Sequence, residues 1–182
     1  MRALSLLYRA GLSVSRLAAW IGLLLILAAA LLTCADIGLR NVGFRGIIGM
    51  VDLTQLFVLA AASLVIPFAF YSQAHVAVDL LTQRLGPRAN AAVALASTVL
   101  GAALLGLLVV YGWNQAQMSL AAGDRSQTLE LPVWLYWAPF LAGNALSAYA
   151  ASAMVLRHLV HLATGRDPFP QAAVQGLPQG SQ

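Results

Sequence analysis

His75 and Asp79 are residues whose types and spacing suggest chemistry. They lie four apart in QAHVAVDLLTQR, residues 73–84, after a stretch without acidic or basic side chains that begins at Leu53. On a helix that spacing places both on one face. A histidine beside a carboxylate can relay a proton, supply half of a metal site, or hold a helix end at an interface. His158 and His161 sit three apart beside Arg157. They can ligate a metal, but a solvated helix end that complements the dipole is the favoured reading. No phosphate-binding Gly-rich loop, zinc-type cysteine pair or nucleophile triad occurs in the sequence.

The elements that position these groups follow from composition. The 182 residues are 60% hydrophobic and 9% charged, with a mean hydropathy of +0.80. A soluble domain carries about 25% charged residues. The uncharged stretches run 17–35, 53–78, 89–123 and 131–156. Each supplies the roughly 20 residues that a spanning helix needs. The fold class is an all-α membrane protein with four transmembrane helices, about 17–36, 52–77, 88–118 and 132–160. Residues 17–162 form one membrane domain, with no room for a separate soluble one. Pro67 and Pro139 predict kinks within spans 2 and 4. Gly86 and Pro87 predict a helix stop and a helix start.

Residues 1–16 carry Arg2, Arg9 and Arg16 on one face with Ser5 and Ser13. Ala3, Leu7, Ala10 and Val14 fall opposite. This predicts an N-terminal amphipathic interfacial helix running into span 1. The apolar run that follows is longer than a signal-peptide core and lacks an A-x-A-like cleavage site, so a retained span is expected. Residues 163–182, rich in Pro, Gly and Gln, predict a disordered cytoplasmic tail. The lone cysteine, Cys34, has no internal disulfide partner.

The net charge of +4 comes from ten arginines and no lysine. They are spread singly at span ends, with no basic patch and no aromatic interleaving, which argues against nucleic acid. With the N-terminus cytoplasmic, Arg2, Arg9, Arg16, Arg84, Arg88, Arg157 and Arg166 fall inside, and Arg40, Arg45 and Arg125 outside. That bias places both termini in the cytoplasm. Trp134, Tyr136 and Trp137 then sit at the outer interface, where amphipathic rings belong.

Transport or catalysis within a membrane usually needs ionisable groups at depth. Asp36, Asp52, Asp79 and Arg157 all lie at span ends instead. The deepest polar residues are neutral: Ser63, Ser97, Thr98, Asn144 and Ser147. Asn144 suits a hydrogen bond to another helix. A proton pump would show a mid-span acid, and a haem carrier would show intramembrane histidine pairs. What the chain does have is small residues every fourth position: Ala94, Thr98, Ala102 and Gly106 in span 3, and Gly143, Ser147 and Ala151 in span 4. Such stripes let helices approach closely. Asp36 and Arg40 are spaced to pair, and Arg40 or Arg45 can reach Asp52 if the Gly-rich segment between spans 1 and 2 folds back.

Over residues 15–162 the chain resembles the small membrane subunit of tripartite ATP-independent periplasmic (TRAP) transporters, the DctQ-like family. The resemblance rests on Asp36-x-x-x-Arg40 leaving span 1, Asp52 opening span 2, and His75-Val76-Ala77-Val78-Asp79 closing it. Its last part is Gln127-Thr128-Leu129-Glu130-Leu131-Pro132-Val133-Trp134 ahead of span 4, with Pro139 just inside. The family often has two adjacent acids preceded by Trp at the start of span 2; here the stretch is Met50-Val51-Asp52. The resemblance implies an inner-membrane subunit that is not an enzyme and holds no cofactor. It implies a scaffold for a large (DctM-like) permease subunit carrying the substrate and sodium sites, and a periplasmic (DctP-like) binding protein that delivers an organic anion, typically a carboxylate. Asp36, Arg40, Asp52, His75, Asp79 and Asn144 are then structural or interface candidates, and Arg45, Asp124 and Arg125 candidates for docking the binding protein. The alternatives are the small subunit of a tripartite tricarboxylate transporter and a membrane redox subunit.

Overall fold

The computed structural model describes residues 2–72 and 87–164, with side chains described for 8–72 and 92–160. They form four helices: α1 (Arg2–Asn41), α2 (Met50–Tyr71), α3 (Pro87–Ala122) and α4 (Trp134–Thr164). Each is long and apolar enough to cross a membrane, and no strand forms among the described residues. The 22 residues of α2 span about 33 Å, close to a hydrocarbon core of about 30 Å. The 40 residues of α1 reach about 60 Å, so that helix must tilt or project beyond the bilayer.

The helices pack in the order α1, α2, α4, α3, with only light contact between α1 and α4. Small residues set this order. A Cβ on Gly22 of α1 would lie 2.8 Å from Val65 Cγ2 and 3.0 Å from the Ala61 carbonyl of α2. A Cβ on Gly143 of α4 would collide with the Ser63 backbone carbonyl of α2. Asn144, Ser147 and Ala151 continue this α2–α4 seam and are buried. With lipid tails as apolar as leucine, close backbone approach replaces hydrophobic burial as the force between helices. The α3 stripe behaves differently. Thr98 is buried and Ala102 packs on the core, but nothing faces Gly106 within 4 Å.

The helix boundaries can be set beside the sequence reading where the residues are described. Helix α1 runs without a break from Arg2 through Arg16 to Asn41. Its bundle-facing side is Tyr8, Gly11, Leu12, Ser15, Ala18 and Gly22, while Ala10 and Val14, assigned to the apolar face, are exposed. Helix α2 is described as far as Tyr71, and residues 73–77 of the expected span lie outside the described residues. The Ser72 N–H bonds back to the Phe68 carbonyl at 2.9 Å and its hydroxyl to the Ala69 carbonyl at 3.1 Å. Helix α3 begins at Pro87 and runs to Ala122, past the anticipated 118. Helices α2 and α4 continue through Pro67 and Pro139.

Glycines terminate the two helices that feed the loops. After α1, Gly43 at φ +86° donates to the Arg40 carbonyl and Phe44 to the Leu39 carbonyl. After α3, Gly123 at φ +68° donates to Leu120 and Asp124 to Ser119. Both are paired bonds of the Schellman type, which need a left-handed residue and so favour glycine.

Candidate functional site

Two carboxylates at one end of the bundle each fasten a loop. Asp36, in the last turns of α1, is 6% exposed. Its Oδ2 pairs with Arg40 Nε at 2.9 Å, and its Oδ1 accepts the Ile47 N–H. The Asp36–Arg40 pair lies over Gly46, where a Cβ would meet both side chains. The 42–49 segment is thereby held back against its own helix.

Asp52, in the first turn of α2, is 3% exposed. Among the described residues no arginine pairs with it; the partner is the loop between α3 and α4. Asp52 Oδ2 accepts the Ser126 hydroxyl at 2.7 Å, the Thr128 N–H at 3.0 Å and the Leu129 N–H at 2.7 Å. Hydrogen bonds to an ionised acceptor are the strong ones, and a carboxylate in the first helical turn also meets the positive end of the dipole. The Tyr136 hydroxyl donates to the Asp52 carbonyl at 3.0 Å, tying α4 to the same turn. Leu129 closes the arrangement by packing where a side chain on Gly49, at φ +76°, would sit.

The loop is preshaped to meet this carboxylate. The Ser126 N–H donates to the Leu131 carbonyl at 2.8 Å, and its hydroxyl accepts the Leu131 N–H at 3.0 Å. Arg125 and Pro132 form a β-bridge. Between them the chain turns with Glu130 at φ +52°, and Arg125 Nη1 reaches the Glu130 carbonyl at 3.4 Å. Asp124, Arg125 and Glu130 stay exposed on this rigid turn, as does Arg45 beyond α1.

Below the loop, the first turns of α2 and α4 border a groove of about 490 Å³. Gln55, Gln127 and Thr128 line it with polar groups, and Leu59, Trp137 and Phe140 with apolar ones. At the opposite end of the bundle, Tyr8 of α1 packs edge-to-face on Tyr71 of α2, with ring centroids 5.2 Å apart. Gly11 leaves room for the Tyr71 hydroxyl and the Tyr149 ring. Tyr71, Met154 and Arg157 are buried there.

The Asn144 amide, 3% exposed, donates to the Phe140 carbonyl of its own helix at 2.8 Å, not to a neighbouring helix. His75 and Asp79 lie outside the described residues, and so does the 165–182 portion of the tail. Among the described residues no group of three or more His, Cys, Asp or Glu converges as a metal ligand set.

This scaffold, loop-fastening acids at one end and small-residue seams between long apolar helices, carries a recognisable sequence. The model of the DctQ component of tripartite ATP-independent periplasmic transporters matches residues 29–161. The chain belongs to the DctQ family. It is a multi-pass membrane protein and the small subunit of a TRAP transporter, in a family of transporter components rather than enzymes. No characterised protein and no solved structure matches it. The matched DctQ region takes in both Asp36 and Asp52 and the whole 123–133 loop.

One feature of this DctQ chain was invisible in its sequence and a second only partly legible. The Asp52 partners come from a loop more than seventy residues away, and two of the three are backbone N–H groups, which leave no side-chain signature. The Thr128-Leu129-x-x-Pro132 pattern marked the loop without indicating what it binds. The Ser63–Gly143 contact was half legible: the α4 stripe was evident, and its partner helix was not.

Proposed function

We propose that this subunit is the static scaffold of the transporter. A large permease subunit bearing the sodium and substrate sites docks on it, and a periplasmic binding protein delivers an organic anion, in keeping with the DctQ family, whose transporters are tripartite and periplasmic. The single observation that carries the reading is where the charge lies. Every acidic residue among the described ones sits at a helix end or loop, and Asp36 and Asp52 are committed to fastening loops. A transport site within a membrane calls for polar or ionisable groups at depth; here the buried mid-helix groups Ser63, Asn144 and Ser147 each bond a carbonyl of their own helix. The chain is therefore built for packing, not for carrying.

In this reading both termini are cytoplasmic in the inner membrane, and the fastened 123–133 loop, with Arg45, Asp124 and Arg125, faces the binding protein. The subunit itself needs no cofactor and catalyses no reaction. A tagged chain extracted in mild detergent is expected to bring down one much larger polytopic protein. Recovery as a lone stable monomer, with solute uptake intact after its deletion, contradicts the proposal.

A further inference from the structure

The groove between the α2 and α4 first turns is not explained by packing within the chain. It is open to the side, of about 490 Å³, within the roughly 300–1,000 Å³ typical of ligand pockets. Its chemistry is graded along its length. At the loop end it offers the Gln55 and Gln127 side chains and Thr128. Deeper in, it is walled by Leu59, Trp137 and Phe140.

Leu59 and Phe140 lie about 13 Å and 9 Å along their helices from the helix starts. The groove therefore covers a third or so of the depth that a spanning helix occupies, which is short for a partner helix. Trp137 lies in the first turn of α4, where, in this reading, an aromatic ring suits the head-group region. Charge narrows the choice further. Among the described residues, the one carboxylate lining the groove, Asp52, has Oδ2 occupied by the loop, and no arginine lines it. An anionic head group would find no counter-charge there.

The geometry points to a phospholipid with a zwitterionic, net-neutral head group as the occupant. Its acyl chain lies along Leu59 and Phe140, and its ester and head-group atoms meet Gln55, Gln127 and Thr128. The lipid belongs to the leaflet on the 123–133 side and seals α2 against α4 where the loop does not. This holds whether or not a large subunit docks elsewhere.

The test is native mass spectrometry of the full-length chain purified in mild detergent, with the retained lipid identified. Gln55 is exposed and faces the groove, so Gln55→Trp fills the site without entering the core; Leu59→Phe fills it from below. Leu104→Trp, on the exposed face of α3, is the control. Wild type and Leu104→Trp are expected to retain one net-neutral phospholipid at activation that strips all others. Both groove variants, checked for unchanged helix content, should retain it about tenfold less, one factor of ten in dissociation constant. Equal retention in all four proteins, retention of an anionic lipid, or no retained lipid in wild type overturns the assignment. A photo-reactive residue at position 55 in native membranes should yield a lipid adduct; an adduct to a polypeptide overturns it as well.

Discussion

The Oδ2 of Asp52 accepts the Leu129 N–H at 2.7 Å across 77 residues of chain. One carboxylate on α2 thereby fixes the path of a loop that belongs to α3 and α4. With the Ser126 hydroxyl and the Thr128 N–H on the same oxygen, the loop is tied to the bundle at three points. The exposed charges of Asp124, Arg125 and Glu130 then ride on a rigid frame, which lowers the ordering cost when another surface meets them.

We predict that Asp52→Ala frees this loop without unfolding the bundle. In hydrogen–deuterium exchange, the amides of Thr128 and Leu129 should exchange at least about tenfold faster, since their protection reports local opening. The α2–α4 seam should be unaffected. Unchanged exchange at both amides would mean that the loop holds itself, through Ser126 and Leu131 alone.

The helix seam gives a second prediction with an internal control. Gly143→Leu drives a side chain into the Ser63 backbone, and backbone cannot step aside as a side-chain tip can. Overpacking of this kind costs about 1–3 kcal/mol. Gly106→Ala faces open space and should stay within about 0.5 kcal/mol of wild type. Thermal unfolding in detergent measures both, and equal losses in the two variants would contradict the seam.

Tyr71 separates ring from hydroxyl. Its side chain is 1% exposed, and its hydroxyl has no hydrogen-bond partner among the described residues. Tyr71→Phe removes an unsatisfied polar atom and should be neutral or stabilising. Tyr71→Ala removes the ring that packs on Tyr8 and should cost about 3–5 kcal/mol. A destabilised Tyr71→Phe, in the same thermal assay, would reveal a partner for the hydroxyl.

Topology is open to a labelling experiment. In a Cys34→Ser background, Gln127→Cys on the exposed loop should react in intact cells with a thiol reagent that cannot cross the inner membrane. Reaction only after lysis would invert the orientation inferred from the arginine bias.

How much was legible in sequence follows from what each signal encodes. Long uncharged runs encode spans, because a bilayer tolerates nothing else, and all four spans were found where the runs lie. Gly86-Pro87 encoded a helix start, since proline at the first helical position forfeits no bond. Residues 73–77, the expected end of span 2, fall outside the described residues. Tyr8, Gly11, Leu12 and Ser15 form the buried side of α1, a side that the spacing of Arg2, Arg9 and Arg16 did not indicate, while Ala10 and Val14 are exposed. The Asp36–Arg40 pair was legible from its i, i+4 spacing. The role of Asp52 was not, since its partners are distant and mostly backbone. His75 and Asp79, which first suggested chemistry, fall outside the described residues; their value lay in marking the family.

The central claim is that this chain is an indispensable scaffold without a transport site of its own. Sodium-driven uptake in proteoliposomes tests it most directly, with the cognate binding protein present. The large subunit reconstituted with this chain should take up solute, and either subunit alone should fall to background. Uptake by this chain alone, or full uptake by the large subunit without it, would contradict the account.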